Sequence, residues 1–193
     1  WSSDVCSSDL RMREVQIFSE RCSGSNFVEA FLRVNCPSIR FSRRYGFKHW
    51  LRESFLEAAE FPDDMLFLVI IRSPFNWLRS MHQRPWHAAP ELRNLDFSEF
   101  IRRQWKCVWC EEGGISRDHP KWGREMEFER NPLRNGARFR NILEVRRVKY
   151  AMWDARLRAA PGYLQVNFDQ FVDDPGRLLQ GMGKDVLAAT RKR

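Results

Sequence analysis

No apolar run in these 193 residues approaches the roughly 18 needed to cross a bilayer. Nor is there the short apolar stretch of a secretory signal. Cysteine is scarce and odd in number, five in all, which is too sparse for a disulfide scaffold and favours a reducing, cytoplasmic setting. Acidic residues are outnumbered, 25 against 33 Lys and Arg, leaving a net charge of +8 and a pI near 9.7. That balance points to anionic partners without choosing among nucleic acid, acidic glycan, nucleotide or membrane surface. What is present suits a globular chain: 43% hydrophobic residues, with 8 Trp and 15 Phe, in a length that fits one domain with a real core.

Residues Trp1–Leu10 (WSSDVCSSDL) are polar, nearly repeat Ser-Ser-Asp and have no structural period. They read as translated sequencing-adapter material at the end of a metagenomic reading frame and are left out of the fold argument. Residues 11–193 are expected to form a single domain. Glu14–Phe18 alternates as a strand, and Phe27, Val28, Phe31 and Leu32 recur at helical spacing, with Ser25 or Asn26 available as N-cap. A short strand is expected at Gly46–His49 and a helix over Leu51–Glu60. Met65–Ile71 is an unbroken apolar run that suits a central parallel strand covered on both faces. It ends in Arg72, and Ser73-Pro74 opens a helix at once.

Asp96 or Ser98 caps a helix expected to run to about Trp109, and Glu111–Asn135 is a long loop of the kind more often functional than incidental. Asn141–Glu144 reads as a capping box opening a helix with Ile142, Val145, Val148, Met152, Ala155 and Ala159 on one stripe. Tyr163–Phe168 reads as a strand, and Asp173-Asp174-Pro175 as the start of a last helix through about Ala189. Strands alternating with helices predict an α/β fold with a mostly parallel central sheet in three layers, α/β/α.

Two places carry chemistry. Between the first strand and helix lies Ser19-Glu20-Arg21-Cys22-Ser23-Gly24-Ser25-Asn26, a small polar loop placed where backbone N–H groups and a helix dipole receive a phosphate or sulfate. Arg72 sits at the carboxyl end of the central strand, where ligands of open α/β sheets bind. The plain alternative is an Arg reaching out of a core strand. A nucleoside-triphosphatase loop would need G-x-x-x-x-G-K-[ST] and an Asp at the end of a neighbouring strand for Mg²⁺. Here there is one Gly, no following Lys, and an Arg in that strand-end position. The pattern fits a doubly anionic ligand bound without a metal.

Arg21–Asn26 resembles the 5′-phosphosulfate loop of sulfotransferases, [KR]-S-G-[ST]-T after a strand. Arg72-Ser73-Pro74 with Ser80, eight residues on, resembles their 3′-phosphate motif, and Val166–Pro175 resembles their R-Y-E-D-L-x-x-D-P stretch. The resemblance implies 3′-phosphoadenosine 5′-phosphosulfate (PAPS) as donor, metal-free transfer to a hydroxyl of a carbohydrate acceptor, and a fold like that of P-loop nucleotide hydrolases. It implies that Arg21, Cys22, Ser23, Gly24, Ser25, Asn26, Arg72 and Ser80 bind the donor. It also implies a catalytic base after the first helix, which assigns His49 as base and Lys48 as the cation near the bridging oxygen, with Glu53 and Glu29 as fallback carboxylates. The plain alternative for His49 is a structural histidine beside Trp50. Cys22 stands where the family has a basic residue, Phe168-Asp169-Gln170 replaces Tyr-Glu-Asp, and the chain ends at Arg191-Lys192-Arg193, early for the family.

Weaker signals remain. Cys107-Val108-Trp109-Cys110 with His119 hints at zinc, but one C-x-x-C on a helix is usually structural. His82 and His87 could line an acceptor pocket. The series Arg130, Arg134, Arg138, Arg140, Arg146, Arg147 and Lys149 could hold an acidic glycan, or be a solvated helix face. Two other functions compete with the sulfotransferase: a basic module binding nucleic acid or polyanions without catalysis, and a kinase-like phosphotransferase. The second is disfavoured by the missing Gly-Lys-Ser/Thr, and a nucleic-acid partner is not expected.

Overall fold

The structure is a computed structural model that describes residues 14–182. The adapter-like segment 1–10 and the last eleven residues lie outside the described residues. Chain order is β1 (Glu14–Ser19), α1 (Ser25–Asn35), β2 (Arg40–Phe41), α2 (Glu53–Leu56), β3 (Met65–Ile71), α3 (Pro74–Gln83), α4 (Phe97–Arg102), α5 (Ile142–Leu157), β4 (Tyr163–Asn167) and α6 (Phe168–Asp173). A further helical stretch covers 176–182.

The four strands form one all-parallel sheet in the order β2-β1-β3-β4, flanked by helices as a three-layer α/β/α arrangement requires. Six register pairs join β1 to β3, from Glu14–Met65 to Ser19–Ile70, and five join β3 to β4, from Phe67–Tyr163 to Ile71–Asn167. Period two sorts the strand side chains onto two buried faces. Val15, Ile17, Leu66, Leu68, Ile70 and Val166 pack with Val28 and Leu32 of α1 and with Phe171 and Leu178. On the other face Phe18 meets Phe55 at 4.8 Å between ring centroids and Trp153 at 5.7 Å, while Phe67 meets Phe61 at 4.8 Å. Truncating such a ring to Ala costs about 3–5 kcal/mol.

The described residues divide into two compact units, one of residues up to Pro74 together with those from Trp153 onward, the other Phe75–Met152. The sheet and its aromatic face belong to the first. In the second, Asp96 caps α4 by accepting the Glu99 N–H at 2.8 Å, and Asn141 caps α5 by accepting that of Glu144 at 2.9 Å. Glu144 reaches back to the Arg140 N–H (2.5 Å), one residue earlier than a standard capping box.

Several expected boundaries shift for visible reasons. The edge strand is Arg40–Phe41, whereas 46–49 turns. Gly46 is left-handed (φ 95°), and buried Gln16 uses its side-chain amide to donate to the Gly46 carbonyl and accept the Tyr45 N–H. The helix expected over Leu51–Glu60 shrinks to α2, because Phe61 turns inward against Tyr45, Phe55 and Phe67. α4 ends at Arg102 rather than near Trp109. Beyond it Cys107 and Val108 make isolated bridges to Ala88 and Glu125, so Cys107 and Cys110 are not on a helix. Along α5 the buried stripe leaves Met152, Ala155 and Ala159 for Lys149, Trp153 and Leu157, the positions that continue a 3.6-residue period from Val145. Asp173-Asp174-Pro175 is preceded by α6, a short helix with no signal of its own in the pattern of the sequence.

Among the described residues no helix is long and apolar enough to cross a membrane. Among the described residues Cys22, Cys107 and Cys110 are free thiols.

Candidate functional site

The site grows from the carboxyl end of β1. Ser19 is buried, and the chain turns through Glu20–Ser23 with a bond from the Ser23 N–H to the Glu20 carbonyl (3.3 Å). Cys22 is left-handed (φ 59°), as is Gly24 (φ 83°, ψ 11°), and the helical residue Ser25 follows. A left-handed residue followed by a right-handed one turns successive N–H groups to one side, the backbone form of an anion nest. Gly24 is the N-cap of α1, not Ser25 or Asn26, and no side chain caps that end. No acidic residue lies in the first turn of α1, so nothing there opposes an anion at its positive end.

Lys48 and His49 reach this loop through one backbone bond, from the Ser19 N–H to the Lys48 carbonyl (2.8 Å). The Lys48 ammonium donates to Asn26 Oδ1 and lies 3.5 Å from Glu29 Oε2 on α1. Burial pulls the Lys48 pKa below its ordinary value, against the charge of Glu29, and Arg43 adds to the depression. Burial pushes the Glu29 carboxyl up, but the hydrogen bond from Arg33 and the charge of Lys48 bring it net below the usual range.

His49 Nδ1 lies 2.8 Å from the Ser19 carbonyl oxygen. A carbonyl only accepts, so Nδ1 carries the proton and, in the neutral ring, the basic lone pair is on Nε2. The ring also packs edge-on against Phe47 at 5.1 Å.

Arg72 ends β3 beside the same loop. Its Nη1 donates to the Cys22 carbonyl at 2.9 Å, and its Nε lies 3.8 Å from Asp169 Oδ1. Asp169 Oδ2 accepts the Ser73 N–H at 2.6 Å, tying the start of α6 to the end of β3. Phe168 lies under Arg72, 5.6 Å from guanidinium carbon to ring centre, and covers Gly24. The Val166–Pro175 stretch singles out Phe168 and Asp169 in the sequence, but their contacts with Gly24, Arg72 and Ser73 have no local signal there.

Of the residues assigned to donor binding, Arg21, Ser23 and Ser25 are buried, Cys22 and Gly24 are half-buried and Asn26 is exposed. Ser80 lies on α3 in the second unit, half-buried, its carbonyl accepting the Arg84 N–H. Of the fallback carboxylates Glu29 faces Lys48, while the side chain of Glu53 lies outside what is described.

The remaining candidates settle elsewhere. His82 Nε2 pairs with the Leu95 carbonyl at 2.8 Å and its ring packs on Phe97 and Phe100, a structural role. Much of the basic series is neutralised within its own unit. Arg138 forks onto Glu125 with two 2.8 Å bonds, Arg130 joins the same carboxylate, and Arg134 faces Glu144. Arg146 stacks on Trp77 and Tyr150, and Lys149 is buried against Glu129. An acidic glycan would have to compete with those partners.

No protein-family model, curated protein or solved structure matches the chain.

Proposed function

We propose that the protein is a sulfotransferase that moves a sulfuryl group from PAPS to a hydroxyl acceptor, a carbohydrate first among candidates, by metal-free in-line transfer. The observation that carries this reading is the convergence of Arg72, from the end of β3, and of Lys48 and His49, from the turn that follows β2, on Ser19 and the 20–26 loop after it. Three functions that the reaction requires are supported by one cluster: an anion nest with cations, a base, and a guanidinium at the strand end.

In this mechanism the acceptor oxygen attacks sulfur while the bond from sulfur to the bridging phosphate oxygen breaks. The acceptor proton passes to Nε2 of His49, and the negative charge collects on the leaving 5′-phosphate. The nest N–H groups and the Lys48 ammonium stabilise that charge, and preorganised electrostatics of this kind usually lowers a barrier more than any other single effect. Removing one such donor typically costs about 10²–10³ in kcat. Arg72 occupies the strand end where a metal-dependent phosphotransferase keeps a carboxylate for Mg²⁺, and Asp169 is already engaged by Arg72 and the Ser73 N–H.

The test is thermal shift or calorimetry with adenosine 3′,5′-bisphosphate against AMP and ATP–Mg²⁺. The bisphosphate should stabilise most, and the preference should vanish in Arg72→Ala. An equal response to all three nucleotides, or none, would sink the proposal. A response that instead follows total phosphate charge and collapses in salt is the signature of a polyanion-binding module.

A further inference from the structure

The Cys107–Cys110 spacing suggests zinc with His119, yet His119 is exposed and its Nδ1 accepts the Lys121 N–H at 3.1 Å. A different trio meets. Cys110 Sγ lies 3.8 Å from His87 Nδ1 and 3.6 Å from Glu112 Oε2, and one ligand atom from each of the three lies within 4.8 Å of the others. We propose that His87, Cys110 and Glu112 form a zinc-class metal site in the second unit, separate in its residues and its test from the transfer reaction.

The two distances from Cys110 Sγ approach those of a coordination shell. Zn–S of ~2.3 Å and Zn–N or Zn–O of ~2.0–2.2 Å put a sulfur and a second ligand about 3.5 Å apart on one tetrahedral ion. Both measured separations from Cys110 Sγ are close to that edge. Thiolate, imidazole and carboxylate together suit zinc rather than the hard, all-oxygen ions.

The surroundings hold the trio in place. His87 is left-handed (φ 62°), a conformation that is uncommon outside Gly and costs backbone strain. Its carbonyl accepts the Val108 N–H at 2.8 Å beside the Ala88–Cys107 bridge, which pins the segment carrying the imidazole to the one leading to Cys110. Glu112 Oε2 accepts the His87 N–H at 2.7 Å and faces Arg93 Nη2 at 3.4 Å, outer contacts of the sort that orient a ligating carboxylate. Cys110 is half-buried and Glu112 exposed, so an ion can enter from solvent. Three protein ligands leave the fourth corner to water. Binding requires the thiolate, so each ion taken up displaces the Cys110 proton and affinity rises with pH through the thiol's titration.

The experiment uses the chelator-stripped chain titrated with Zn²⁺ and, for spectra, with Co²⁺. The expected result is one equivalent bound, a thiolate-to-cobalt absorption band, and a gain in melting temperature with Zn²⁺. Cys110→Ser should abolish the band, and His87→Ala and Glu112→Gln should weaken binding at least about tenfold, since loss of even an outer-shell partner of a ligand costs about that much. Cys107→Ser should keep the band. If His87→Ala does not fold, the conservative Glu112→Gln, on an exposed side chain, carries the comparison. No stoichiometric binding, a band that survives Cys110→Ser, or a site lost in Cys107→Ser and His119→Ala but kept in His87→Ala overturns the assignment.

Discussion

Phe168 lies over Gly24 so closely that a Cβ added to the glycine would sit 2.1 Å from the ring's Cε2. The glycine is also left-handed, so a side chain there meets both a ring and an unfavourable backbone region. Gly24→Ala should therefore destabilise the fold by about 2–4 kcal/mol, combining overpacking with positive-φ strain. Urea unfolding measures it. Adding Phe168→Leu should recover part of the loss, and strictly additive losses would show that the two residues do not share this contact.

Asp169 joins the ends of β3 and β4 by accepting from the Ser73 N–H and facing Arg72. Asp169→Ala should cost about 1–3 kcal/mol, the range for orphaning a partly buried donor. It should also weaken adenosine 3′,5′-bisphosphate binding, because Arg72 loses the carboxylate that orients it. Calorimetry that finds wild-type affinity in this variant would separate Asp169 from the site.

Lys48→Met tests the leaving-group cation. Donor-dependent turnover should fall about 10²–10³-fold while bisphosphate affinity changes by only a few-fold, since the charge it meets develops during transfer. A loss confined to KM would place Lys48 in ground-state binding instead.

In the second unit, Lys149 and Glu129 are 2.8 Å apart and each 1% exposed. Breaking such a pair from one side takes from a buried charge the opposite charge 2.8 Å away. Glu129→Gln should cost about 3–5 kcal/mol, whereas Lys149→Met with Glu129→Leu should recover most of it. Denaturant midpoints of the two variants decide the point.

Acid should also find the second unit. The fork from Arg138 holds the Glu125 carboxyl below its ordinary 4.5, against burial, with Arg130 assisting. A folded value below the unfolded one means that this stability is complete above about pH 4.5 and is lost as pH falls through the lower folded value. Because both arginines are substantially exposed, about 0.5–1 kcal/mol is at stake. Urea midpoints at pH 7 and pH 3 should differ less in Glu125→Gln than in the parent chain.

The parts of this architecture legible in one sequence are those encoded within a few residues. Met65–Ile71 announces a doubly covered strand by being apolar at every position, and the Gly-containing segment between an alternating strand and an amphipathic stretch announces a strand–turn–helix junction. The edge strand escapes such a reading because two residues, Arg40 and Phe41, carry no period. Contacts between Ser73 and Asp169, 96 residues apart, have no local signature at all. Lys149 reads as one more surface cation until Glu129 is found across from it. The same limit holds around Cys110: His119 is near the cysteines in sequence, whereas His87 is near Cys110 in space.

The sheet order β2-β1-β3-β4 has a consequence for how the chain reaches this state. β1 pairs β3 across 51 residues, Glu14 to Met65, but β3 pairs β4 across 96, Phe67 to Tyr163. On a ribosome the first three strands emerge long before the fourth, and the whole of Phe75–Met152 is made in between. Throughout that interval the open edge of β3 is an apolar template able to recruit another chain. Closure entropy alone adds only about 0.6 kcal/mol per doubling of the loop, so the hazard is one of timing. Yield during synthesis should depend more on how quickly the intervening segment folds than on the final stability of the sheet.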